Sequence, residues 1–186
     1  MPKIVEPPTV PPELSEIWQG VGPIVSSGHL ARGALPALSE LEFGMIMLHN
    51  AFSRWMVRCM AAAGVPDLSA VDVLVLHNIN HRDKAKTMAD ISLMLNIEDT
   101  HIVAYALKKL QRLGLIQSGR RGKEKLVSIT PAGRAVCERY AAIREELLVK
   151  SVLSAQVPAE TLSAIAAHMR TLSGQYDQGT RSAASL

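Results

Sequence analysis

The sequence predicts a mainly helical fold that carries one small β-hairpin. Aromatic residues are only 4% of the 186, while the hydrophobic fraction reaches 48%, which is the composition of helices packed by aliphatic side chains rather than of a β-sandwich. Apolar residues recur at three- and four-residue spacing through most of the chain. Only residues 115–129 read as two short strands, joined by a basic tip that contains glycine.

The first 27 residues read as an extended arm. Six of the ten prolines lie at Pro2, Pro7, Pro8, Pro11, Pro12 and Pro23, where fixed φ and missing amide donors oppose regular structure. Ile17, Trp18, Val21, Ile24 and Val25 would be costly to leave in water, so the arm is expected to dock on its own domain or on a partner subunit. From Ser39 the spacing of Leu41, Met45, Leu48, Phe52, Trp55, Met56, Cys59 and Met60 predicts a long helix, stopped by Gly64-Val65-Pro66. It is apolar on more than one face, which points to burial against another subunit as well. A second helix starts behind the cap Ser69, has Asp72 in its first turn and runs to about Asn80.

Residues 86–114 then read as helix, turn, helix. Thr87 to Leu95 form the first helix, Asn96-Ile97 the break, and Asp99 or Thr100 caps a helix that Gly114 ends after Leu113. In this last helix Val103, Ala106, Leu107, Leu110 and Leu113 form an apolar stripe. Thr100, His101, Ala104, Tyr105, Lys108 and Arg112 form the opposite one. Leu115–Gln117 and Lys125–Ile129 are the strands, with Ser118–Lys123 between them as the tip. Thr130-Pro131 restarts a helix that runs to about Leu153. A loop at 156–158 leads to a last helix, and the small polar tail from Ser173 is expected to fray. The regions are thus 1–27, an arm; 28–67, N-terminal helical; 68–133, the central module; and 134–186, C-terminal helices and tail.

Charge and motifs narrow the function classes. Residues 82–134 hold 11 Lys/Arg against 5 Asp/Glu, whereas the formal charge of the whole chain is only +3. A basic excess confined to the centre is a footprint for an anionic partner. A Gly-rich phosphate loop, a nucleophile elbow and an HExxH pair are all missing, and Glu145-Glu146 read as a solvated face, so catalysis is not expected. No cofactor or metal is expected either. His77 and His81, four apart, could share a helix face, but no further ligand follows at a metal spacing. Cys59 reads as buried and inert, and Cys137 as a thiol whose neighbours Arg134 and Arg139 could favour thiolate. Met45, Met47, Met56 and Met60 are either core or the lining of an effector pocket. The N-terminus lacks a secretory pattern and no run is apolar enough to span a membrane, so a cytoplasmic protein without a membrane partner is expected.

Two helices joined by a tight turn and followed by a basic hairpin are the parts of a winged helix-turn-helix. The turn Asn96-Ile97, the helix end Leu107-Lys108-Lys109-Leu110-Gln111-Arg112-Leu113-Gly114-Leu115-Ile116 and the junction Val127-Ser128-Ile129-Thr130-Pro131-Ala132-Gly133 resemble the MarR family of transcription regulators. The likeness covers residues 40–172 in element order, and at motif level only 86–133. It implies a winged helix-turn-helix with N- and C-terminal dimerisation helices and a homodimer on a pseudo-palindromic operator; such a regulator is expected to act as a repressor that an effector or partner releases.

Physical reasoning gives the residues their roles. Thr100, His101, Ala104, Tyr105 and Lys108 would enter a major groove, while Lys108, Lys109 and Arg112 meet phosphates. Arg120, Arg121 and Lys123 suit a minor groove or flanking phosphates. Lys84 and Lys86 add backbone contacts. Two departures stand out: Arg121-Gly122-Lys123 occupies wing positions where the family commonly has an acid bracing an arginine, and Tyr105 stands where arginine is frequent. The competing reading is a protein-interaction module that keeps the winged scaffold, with weak or nonspecific DNA binding.

Overall fold

The structure, a computed structural model, describes residues 22–186, so Ile17, Trp18 and Val21 of the arm lie outside the described residues. The chain divides into two compact units, residues 1–56 and 57–186.

In the first unit, residues 22–35 form no regular element beyond a 3-10 turn at Leu30–Arg32. Helix α1 spans Pro36–Ala62 and crosses the unit boundary. It begins three residues before the expected Ser39, at a proline whose missing N–H costs nothing in a first turn. Its apolar residues do not all turn inward: Met56 is buried, but Ile46, Met47, Leu48 and Phe52 are about half exposed.

The second unit is built around helix α2, Ala70–Asn80. Ser69 Oγ accepts the Asp72 N–H and the Asp72 carboxylate accepts the Ser69 N–H, a reciprocal cap that fixes where the helix starts. Val73, Val75, Leu76 and Ile79 are completely buried. Helix α3, Met88–Leu95, begins with the same device from Thr87 and Asp90, and Asn96 stops it in the left-handed conformation at φ 52°. Helix α4, Thr100–Arg112, is capped by the Asp99 carboxylate, and Gly114 follows at φ +70°.

Strands β1, Ile116–Arg121, and β2, Glu124–Ile129, pair antiparallel from Ile116↔Ile129 to Arg121↔Glu124. The strands are longer than the sequence suggested, because Ser118–Arg121 and Glu124 continue the ladder. The expected six-residue tip therefore shrinks to Gly122-Lys123. Lys86 adds a single antiparallel bridge to Val127. Helix α5, Pro131–Arg144, starts from the Thr130 cap, passes through a π-helical segment, Glu145–Val149, and ends as the short helix α6, Lys150–Ser154. Helix α7 runs over Ala159–Ala183, so the tail beyond Ser173 is helical rather than frayed. Leu172 and Tyr176 extend the spacing of Leu162, Ile165 and Met169, a continuation that outweighs the two intervening small residues. None of the residues of α7 is buried.

The core of the second unit joins Met60, Val73, Val75, Leu76, Ile79, Ile91, Val103 and Leu110, each under 2% exposed. This core turns one side of each of α2, α3 and α4 inward. Among the described residues, no helix is long and apolar enough to cross a membrane.

Candidate nucleic-acid interface

Helix α4 is amphipathic by its sequence, and its packing follows that pattern. Val103, Ala106 and Leu110 are buried, one turn apart on the inner side. Thr100, His101, Tyr105, Lys108 and Arg112 are exposed and Ala104 is half-buried, together making the outer stripe. Tyr105 is 69% exposed, which removes its reading as a core aromatic. The Asp99 cap takes up the His101 N–H at 2.9 Å, leaving the side chains of the first turn free to project.

The wing adds a second basic element. Gly122 takes φ +61°, a conformation that lets a two-residue loop close the hairpin with the strands' own twist. Arg120, Arg121 and Lys123 are exposed beside it. Sequence reasoning found no acid to brace the wing, yet Glu124 pairs with Arg121 at 3.0 Å across the turn. Once the register places these two opposite each other, an exposed ion pair between them is evident. Lys125 was also missed. It lies opposite Arg120 and lines a cleft of about 290 Å³ with Met88, Ala104, Leu107, Lys108, Gln111, Ser118 and Val127. Helix α4 and the wing thus share an apolar-floored cleft with lysines from both elements on its lining.

Two of the lysines expected at the interface have their ammonium groups engaged inside the domain. Lys86 donates to the carbonyls of Ile79 and His81 at 3.3 and 2.8 Å, closing the end of α2; burial lowers its pKa, with Asp90 working in the opposite direction. Lys109 forms an ion pair with Asp72 at 2.8 Å and also donates to the carbonyl of Asp67. Lys84 is exposed, two residues from the Lys86 bridge and toward the foot of the wing rather than its tip. It follows Arg82 and Asp83, both at positive φ, a turn fastened by the Asp83–Arg134 ion pair at 2.6 Å.

The sensing residues weighed in the sequence take clear places. His77 packs edge-on to Tyr140, ring centroids 4.5 Å apart, and burial lowers its pKa. His81 is the C-cap of α2 with extended backbone, so the two imidazoles do not share a helical face. Cys59 is buried, its thiol donating to the Tyr140 carbonyl at 3.6 Å, and Cys137 is buried as well.

Comparison with known proteins agrees with this architecture. Residues 68–133 match the family model of a winged helix DNA-binding domain. No curated protein matches the chain by sequence. Among solved structures, a mutant MarR from E. coli complexed with operator DNA is 17% identical at a TM-score of 0.61, covering 75% of this chain and 98% of its own. A MarR family regulator from Neisseria meningitidis is 18% identical at 0.60, covering 77% and 95%. Staphylococcus aureus MarR in complex with salicylate and kanamycin is 18% identical at 0.59, covering 76% and 94%. The chain therefore has the winged-helix fold of MarR family regulators, and the resemblance seen in its motifs is borne out at the level of fold.

Proposed function

We propose that this chain is a MarR-type transcription regulator: a cytoplasmic homodimer, without catalytic activity, that binds duplex DNA in a sequence-specific way and acts as a repressor. The single observation that supports it most is the shared face of α4 and the wing. Both elements contribute lysines to one cleft, while Arg120, Arg121 and Lys123 extend the cationic surface to the tip.

On this reading α4 enters the major groove. Thr100, His101, Ala104 and Tyr105 reach base edges, and Lys108 and Arg112 meet phosphates. The wing lies on the minor groove or the flanking phosphates, with Glu124 paired to Arg121 across its turn. Helices α1 and α7 supply the dimer contacts, the latter through Leu162, Ile165, Met169, Leu172 and Tyr176 at alternating three- and four-residue spacing. An effector, a small molecule such as the salicylate bound in the S. aureus MarR complex, would act by changing the separation of two recognition helices that must match half-sites about 10 bp apart.

The test is selection of bound duplexes from fragmented genomic DNA, followed by salt titration of the best sequence against its scramble. A palindromic sequence that resists salt better than the scramble supports the reading. Equal, steeply salt-dependent binding to both would indicate a nonspecific binder. No binding near 0.15 M salt, with or without candidate effectors, would move the function to protein interaction.

A further inference from the structure

We propose that Asp72 and Lys109 are positioning residues for the recognition helix, their ion pair setting the rotation of α4 about its own axis and hence which side chains reach the bases. The inference rests on the DNA-binding reading above and assigns Lys109 an internal role instead of a phosphate contact.

The pair is built into the domain. The Asp72 side chain is 3% exposed and that of Lys109 19%. One carboxylate oxygen, Oδ2, accepts both the Ser69 N–H and the Lys109 ammonium, each at 2.8 Å. The same ammonium reaches the Asp67 carbonyl, so Lys109 fastens α4 to two points on the turn that starts α2.

Packing alone holds α4 less firmly in rotation. Its buried stripe is Val103, Ala106 and Leu110, and aliphatic contact is non-directional. A charged hydrogen bond is directional and short. With side chains at a radius of about 6 Å, a 20° turn of the helix would move them by about 2 Å, more than a base-edge hydrogen bond tolerates. Lys109 lies between exposed Lys108 and buried Leu110, and turning it inward holds Thr100, His101, Tyr105, Lys108 and Arg112 outward together. Asp72 also sits in the first turn of α2, where a negative charge is favoured, so the domain can still fold when Lys109 is neutralised.

Lys109→Met keeps the stem and removes the charge, Lys109→Arg keeps the charge, and Asp72→Asn keeps an acceptor for the cap. The readouts are discrimination between the selected duplex and its scramble, the salt slope of binding, and amide hydrogen exchange of α4 in the free full-length protein. Lys109→Met and Asp72→Asn are expected to lower discrimination at least tenfold with the salt slope unchanged, and to speed exchange in α4 relative to α2 at least tenfold. Lys109→Arg should restore both. A slope reduced by about 0.9 with equal loss on both duplexes would make Lys109 a phosphate contact and overturn the proposal. Unchanged discrimination and exchange would also overturn it. If the wild-type protein discriminates between no duplexes, the DNA-binding reading fails, and exchange in α4 still decides whether the pair holds the helix.

Discussion

Cys137 lies one turn from Arg134, a neighbour that favours thiolate, yet burial outweighs the guanidinium and pushes the thiol up to about 11. Arg134 is also engaged, since Asp83 accepts its guanidinium and raises its pKa. Burial raises Cys59 as well. A raised thiol pKa means that the stability gained by keeping the group neutral is complete below about pH 9 and is lost as pH rises toward 11. Both thiols should therefore react with iodoacetamide far more slowly in the native protein at pH 8 than in denaturant. Native labelling at the rate of a free cysteine would contradict this burial. His77 works in the opposite pH range. Burial against Tyr140 lowers its pKa, so the unfolded chain takes up the proton first as pH falls. Its contribution is present above about pH 6.5 and is lost as pH falls through its own lowered value. The melting temperature should fall between pH 7 and pH 5, and His77→Phe, which keeps the ring and cannot protonate, should flatten that fall.

Elements whose boundaries depend on neighbours in sequence were legible before the fold was known. The Ser69 cap, the Asn96 break, Gly114 and the Thr130-Pro131 start each act within a few residues and stand where their chemistry placed them, and of the two caps the sequence offered for α4, Asp99 or Thr100, the first is used. The tail beyond Ser173 misled because Gly174 and Gly179 are poor helix formers, and only the distant spacing of Leu172 and Tyr176 argued otherwise. Features that depend on register or long-range contact were invisible. Asp72 meets Lys109 across 37 positions and Asp83 meets Arg134 across 51; the sequence shows such charges but not their partners. Gly133 is the sharpest of these contacts. A Cβ there would lie 2.1 Å from the Leu115 carbonyl oxygen and 2.7 Å from Ile129 Cδ1, so the glycine lets the first turn of α5 close onto the foot of the wing. Gly133→Ala should cost about 3 kcal/mol in denaturant unfolding, whereas Gly174→Ala, with open space around it, should be neutral or stabilising by up to about 1 kcal/mol. Equal stabilities for the two variants would show that the close approach is not a constraint.

Helix α7 carries exposed apolar side chains along one stripe. It runs for 25 residues and buries none of them, although Leu162, Ile165 and Tyr176 are substantially exposed and, with Met169 and Leu172, repeat at the spacing of a helix-pairing seam. Leaving such side chains in water sacrifices about 1.5–3 kcal/mol for each that could be fully buried, which favours a second copy as their cover. If that pairing also brings two winged modules onto adjacent half-sites, dimerisation and DNA affinity must fall together, because tethered binding gains about 10²–10⁴ over a single module. The variant Ile165→Glu with Leu172→Glu places charges on the seam and alters no residue of α4 or the wing. It should sediment as a monomer, keep its helical circular dichroism and bind a palindromic duplex at least a hundredfold more weakly, while its affinity for a single half-site stays at the wild-type level. A dimer that survives both glutamates would move the interface off α7, and a monomer that still binds the palindrome at full strength would separate DNA recognition from assembly.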